Sequence, residues 1–354
     1  MAVTASIRES SAQAVRASIT SGKRDVKGML FAAALLVCLL ASLLALTVLL
    51  WDVVAQALPV FDKRSSGFFT NDLASSPDKA GVKQGIWGSL VIAGFVVVLS
   101  FPVGIAAGVY LEEYARPGRL TSFIQLNIRN LAGVPSVVYG ILGLVVFVQA
   151  LDGITGGRSL IAAGVTLSLL VLPIVIITTA EAVSAVPQGL REAGFGVGGT
   201  RWETTRDHVL PYAAPGILTG TMLAVARALG EAAPLLLIGA ITGRLATPPG
   251  QGLLEQLQGK FTAMPIVIYG WANEVPKPGA RTGLTFEDLN AAAIVVLLGM
   301  VLLLNVAAIL LRNRFEKRRH STPRRQRSTR RPMIGCSRPE SSPCTTATSG
   351  LCAT

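Results

Sequence analysis

IWGSLVIAGFVVVLSFPVGIAAGVYL, residues Ile86–Leu111, carries no charged side chain from end to end. A helix needs about 20 predominantly apolar residues to cross the hydrocarbon core of a bilayer, and this stretch is long enough. It exceeds normal strand length and does not alternate apolar with polar residues, which leaves a helix. Five further runs are like it: Met29–Trp51, Leu131–Leu151, Ser159–Ala180, Ala291–Leu311 and Tyr212–Ile241, the last interrupted only by Arg227 and Glu231. Buried helices of a soluble protein account poorly for six such runs in one chain. The runs imply an all-α integral membrane protein with six transmembrane helices.

Of the 354 residues, 51% are hydrophobic and 15% are charged, against roughly 25% charged in soluble domains. That composition excludes an ordinary soluble globule and a disordered chain alike. The formal charge of +12, from 32 basic and 20 acidic residues, suggests at first a nucleic-acid partner. Its distribution removes that reading. Nine of the twelve net charges fall in Arg312–Thr354, and the rest of the chain is nearly balanced. Past Arg319 the tail has no apolar periodicity and reads as a dispensable, disordered segment whose basic residues can meet anionic membrane lipid. Cys38 lies in an apolar run, while Cys336, Cys344 and Cys352 lie in the tail. No C-x-x-C occurs and the histidines are His208 and His320 alone, so neither a zinc site nor a disulfide framework is expected.

Six spans put both termini on one side, and Lys/Arg counts choose the side. With both termini cytoplasmic, the inside segments hold 22 Lys/Arg and the outside segments 9; without the tail the margin is 11 to 9. The map begins with a cytoplasmic segment at 1–28 and a first transmembrane helix at 29–51, whose apolar stretch is too long for a cleavable signal. An extracytoplasmic loop at 52–85 leads to a transmembrane domain at 86–311, with spans at about 86–111, 131–151, 159–180, 212–241 and 291–311. A cytoplasmic loop occupies 181–211 and the basic tail 312–354. Gly104–Gly108 and Gly216–Gly220 are small-x-x-x-small pairs suited to close helix packing. Pro102, Pro135, Pro173 and Pro234 sit in or at spans, where each kinks its helix or frees a backbone carbonyl.

The cytoplasmic loop contains REAGFGVGGTRW, Arg191–Trp202, followed by Leu210-Pro211. Gly194, Gly196 and Gly199 fit G-x-G-x-x-G, but a dinucleotide site needs a preceding strand and a βαβ unit, which two membrane spans do not supply. The residues favour two short helices with a glycine turn between them. Thr200 can cap the second, with Glu203 three residues on completing a capping box.

This segment resembles the Glu-Ala-Ala motif of ABC-importer permeases: Glu-Ala-Ala, three residues, Gly, nine residues, Ile, one residue, Leu-Pro. Glu192, Ala193, Gly198, Leu210 and Pro211 fall in register. Gly194 replaces the third alanine, which should loosen the helix by about 1 kcal/mol, and His208 replaces the usual aliphatic. In that family the loop is cytoplasmic and docks into a cleft of the ATPase subunit, which agrees with cytoplasmic termini.

Other stretches resemble the phosphate-specific permeases of the PstA type. They are Val109–Tyr114 (VYLEEY), Asn127–Gly140 (NIRNLAGVPSVVYG) and Arg227–Pro234 (RALGEAAP), the last with Ala232 where Thr is common. Phe68-Phe69-Thr70 and Gly85–Leu90 fit the same family, and the likeness runs from about Met29 to Arg314. The resemblance implies a type I ABC importer permease bundle, moving inorganic phosphate across the cell membrane. The implied partners are a second homologous permease subunit of the PstC type, two ATPase subunits and an extracytoplasmic phosphate-binding protein.

Arg227 and Glu231 are four apart and on a continuous helix would share a face. Each costs roughly 2.5–3.5 kcal/mol at a membrane helix centre, so each must face protein, water or the other. A structural ion pair is one role. The other is a substrate pathway in which the guanidinium binds phosphate oxygens in bidentate fashion and Glu231 keeps the site from trapping the anion. Asn130 and Ser136 are further candidates for that pathway, whereas Tyr139 reads as packing.

No G-x-x-x-x-G-K-[ST] occurs in the chain, so ATP and its Mg²⁺ would be bound by the partner ATPase, and no cofactor of this chain is expected. A membrane-embedded enzyme would need clustered His, Asp or Cys near the membrane, which the sequence lacks. A passive anion channel has no use for the 181–211 loop. A permease for sulfate or molybdate is the remaining alternative.

Overall fold

The computed structural model describes residues 26–243, 245, 252–275 and 278–320. Residues 1–25, and the tail from Ser321 onward with its expected disorder and three cysteines, lie outside the described residues. The described residues are helical and contain no strand.

Helix α1, Val26–Thr70, contains the first apolar run but does not stop at Trp51. No glycine lies between Trp51 and Arg64 to end it, and Pro59 is tolerated inside. The expected loop at 52–85 is therefore helical up to Thr70, apart from a break at Arg64 (φ −144°, ψ 27°). Helix α2 is Lys83–Tyr114 and α3 is Arg119–Ala132. Helix α4 is Ser136–Ala150, and α3 meets it at a 95° bend. Helix α5 is Leu160–Ser184, α6 is Gln188–Gly196 and α7 is Arg201–Gly230. The short helices α8, Ala233–Ile238, α9, Leu253–Gln258, and α10, Met264–Ala272, precede α11, Phe286–His320. Among the described residues, five helices are long and apolar enough to cross a membrane, and the bent α3–α4 pair makes a sixth span if counted as one.

The expected span 131–151 is corrected at its start. Gly133-Val134-Pro135 interrupts the helix, because a residue before proline is driven out of the helical region and proline has no amide to donate. The span 212–241 is corrected at its outer part. Helix α7 ends at Gly230, Glu231 is extended (φ −81°, ψ 116°), and α8 restarts with Pro234 in its first turn.

Helix α5 is the centre of the bundle. Ser159 caps it, its Oγ accepting the Ala162 N–H at 3.2 Å. Both expected glycine pairs close onto this one helix: Gly104 and Gly108 of α2 against Val175 and Thr179, Gly216 and Gly220 of α7 against Ala182 and Thr178. A Cβ on any of the four would come within 2.9 Å of α5. Apart from the packing on α5, a further core lies at the Thr70 end of α1, where Ala57, Val60 and Phe68 are buried with Met264, Trp271, Phe286 and Leu289. Burying a Phe- or Leu-sized side chain contributes about 1.5–3 kcal/mol.

A polar clamp holds the segment after α1 to the loop before α11. Asp78 accepts from the Thr282 hydroxyl at 2.7 Å and from the Thr282 and Arg281 amides at 3.1 and 3.2 Å. The Thr282 hydroxyl, aided by those amides, holds the Asp78 carboxyl below the usual carboxylate range. Arg64, at the break in α1, donates to the carbonyls of Pro77 and Ala80.

Candidate functional site

The loop between α5 and α7 folds as the two short helices that its sequence favours. Helix α6 ends in a Schellman motif: the Gly199 amide reaches the Gly194 carbonyl at 3.1 Å and the Gly198 amide reaches Phe195 O at 2.9 Å. That motif needs a left-handed residue, which is Gly198 at φ +87°. Thr200 then starts α7 with a full capping box. Glu203 Oε2 accepts the Thr200 amide at 2.8 Å, and Thr200 Oγ1 accepts the Glu203 amide at 3.3 Å.

Glu192, Ala193, Gly198 and Pro211 are exposed, Leu210 is half-buried and Gly194 is buried. A Cβ on Gly194 would lie 2.7 Å from Thr204 Cγ2, so the alanine of the pattern does not fit against this chain's Thr204. The glycine expected to loosen α6 is what lets α6 close onto α7. His208 is exposed, where a polar ring is readily solvated. Three apolar side chains project from the same element: Phe195 is 47% exposed, Val197 84% and Trp202 58%. Sequence patterning did not single them out. Their signal is bulky apolar residues inside a glycine-rich turn, where no core position is available.

Sequence reasoning also missed a long-range pair. Arg191 of α6 donates from Nε and Nη2 to Glu113 Oε1 at 2.9 and 2.8 Å, while Nη1 and Nη2 reach Val186 O and Val183 O at 2.6 and 2.9 Å. The partners are 78 positions apart, beyond any local pattern.

Arg227 Nε and Glu231 Oε1 lie 3.4 Å apart, with the side chains 50% and 17% exposed. They meet across the end of α7 rather than along one helical face, because Glu231 is already extended. The structure gives the terminal Nη nitrogens of Arg227 no acceptor among the described residues.

Asn130 is exposed in the last turn of α3, and Ser136 is the half-buried first residue of α4. No hydrogen bond or ion pair joins either to Arg227 among the described residues. Tyr139 is buried and donates to Leu131 O at 2.9 Å, tying α4 back to α3 across the bend. What joins the two motif stretches is Gly140. A Cβ there would lie 2.7 Å from Pro234 Cα and 2.8 Å from Leu237 Cδ1. The bent span and the broken span thus press backbone to backbone.

The family model described as "Binding-protein-dependent transport system inner membrane component" matches residues 100–321. The phosphate transport system permease protein PstA 1 of Mycobacterium tuberculosis is 31% identical over 293 residues, covering 82% of this chain and 90% of that protein. PstA of Yersinia pestis is 30% identical, covering 81% of this chain and 90% of that protein. In fold, the chain is similar to a chain of a bacterial alginate ABC transporter, solved in complex with an alginate pentasaccharide-bound periplasmic protein. The TM-score is 0.54 at 15% identity, over 85% of this chain and 99% of that one. The chain belongs to the family of binding-protein-dependent transport system inner membrane components and is a multi-pass permease subunit of an ABC transporter.

Proposed function

We propose that this permease imports inorganic phosphate. The similarity to proteins named phosphate transport system permease, over 82% of this chain and 90% of the relative, carries that reading. Both termini are cytoplasmic in it, and the loop 181–211 seats in a separate ATPase. Glu192, Ala193, Gly194, Gly198, Leu210 and Pro211 form its frame. The exposed Phe195, Val197 and Trp202 suit an apolar cleft on that partner. The working complex holds a second, PstC-type permease, two ATPase subunits and an extracytoplasmic phosphate-binding protein, set in membrane lipid.

Phosphate passes Arg227. Its Nε leans on Glu231 and its side chain is half exposed, which leaves the terminal nitrogens for a ligand that a planar guanidinium binds in bidentate fashion. Glu231 lowers the affinity enough for release. Asn130 and Ser136 flank the path. ATP binding closes the ATPases and carries the loop with them, switching the bundle from inward to outward access, and hydrolysis resets it.

The test is phosphate uptake by a strain lacking its own permease, complemented with this chain and its partners. Arg227→Gln abolishes uptake at normal membrane levels of the complex. Unchanged uptake refutes the pathway role. Uptake of sulfate or molybdate with no uptake of phosphate refutes phosphate as the substrate, and flux without ATP refutes the importer.

A further inference from the structure

Helices α5 and α7 are joined to the 181–211 loop by the chain itself: α5 turns into α6 through 185–187, and α7 begins inside the loop at Arg201. Helix α2 has no such connection. Its end, the wide π turn Tyr110–Tyr114, meets the loop through apolar packing of Val109 with Val186 and Val209 and, as its ionic contact, through Arg191–Glu113 at 2.8 Å, with side chains only 19% and 13% exposed. From its place on α6, the guanidinium bonds in two directions at once: to Glu113 of α2, and to the carbonyls of Val183 and Val186 where α5 ends. An apolar cluster of Val109, Val183, Val186, Val209 and Ile217 lies beside it. A planar, permanently charged group with several fixed donors suits such a joint, whereas a lysine supplies one point charge.

We propose that Arg191 is the positioning residue that transmits movement of the loop to α2, so that α2, α5 and α7 shift together when the ATPase pulls. This rests on the reading of the 181–211 loop as the ATPase contact. Arg191 faces the bundle through Glu113, Val183 and Val186, so its role is transmission and not docking.

The experiment uses the complete transporter, reconstituted in vesicles with its partner permease, ATPase subunits and binding protein. ATP hydrolysis and phosphate uptake are measured on the same preparation. Arg191→Gln and Glu113→Gln each keep the ATPase subunits in the purified complex and keep hydrolysing ATP. Phosphate moved per ATP falls about tenfold, the scale expected when a network linking two sites is cut. The double variant is no worse than Arg191→Gln alone, because the two residues act as one pair. Unchanged phosphate per ATP in the single variants, additive losses in the double, or loss of the ATPase from both singles each overturn the proposal. A complex that keeps its ATPase subunits when Phe195, Val197 and Trp202 are all changed to serine sinks the underlying reading instead, so the two failures are distinguishable.

Discussion

Gly140→Ala places a methyl group 2.7 Å from Pro234 Cα, 2.8 Å from Leu237 Cδ1 and 3.3 Å from Leu237 Cβ. Carbon atoms rest about 3.5–4.0 Å apart, so α8 must retreat from α4 by roughly 1 Å. The Leu237 side chain can rotate out of the way, but the Pro234 backbone cannot. Overpacking of this kind costs about 1–3 kcal/mol. At about 2 kcal/mol the seated arrangement of α8 is disfavoured by roughly thirtyfold. That arrangement sets the break at Glu231 and, through it, the pair with Arg227. Phosphate uptake in the complemented strain therefore falls by about ten- to thirtyfold, while the variant still assembles with its partners. Assembly is read by co-purification and transport by labelled phosphate. Adding Leu237→Ala leaves the Pro234 contact in place and restores only part of the loss. Wild-type uptake by G140A, or full recovery in the double variant, refutes the backbone-contact reasoning.

Gly198→Ala meets open space but forces a Cβ into a left-handed backbone, at about 1–2 kcal/mol. ATPase retention during purification weakens, and Gly198→Asn, which tolerates that backbone, does so less; an alanine variant that retains the ATPase fully contradicts this. Asp78 has its pKa lowered by Thr282, so its clamp contributes stability above the ordinary Asp value of about 3.9 and loses it only as pH falls below that. Protease sensitivity of the 278–285 loop rises in that acid range in the wild type. Asp78→Asn shows the raised sensitivity already at neutral pH, and identical profiles for the two proteins contradict the assignment.

The spans were legible because the bilayer imposes a length on them, and a charge-free run such as Ile86–Leu111 satisfies it with few alternatives. The capping box was legible because Thr200 and Glu203 sit within one helical turn. What escaped was set by contacts between distant segments. Arg227 and Glu231 lie in a run apolar enough to read as one helix; Pro234 marked a kink, but not that Glu231 turns extended or that Pro234 packs on Gly140. The 95° bend between α3 and α4 was visible as Pro135 but not as an angle. Gly194 looked like a defect in a pattern until Thr204 was seen opposite it. The Arg191–Glu113 joint has no local signature at all.

The four glycines that close on α5 also bear on how the protein comes apart. With α2 on one side and α7 on the other, α5 has most of its turns shut away from solvent and lipid. Local opening is governed by how much must separate before an amide is exposed. Releasing an α5 amide means parting two glycine-lined contacts, whereas the half of α1 from Val26 to Leu50 is exposed on every side. Deuterium will therefore enter the middle turns of α5 last, Pro173 apart, which has no amide to exchange.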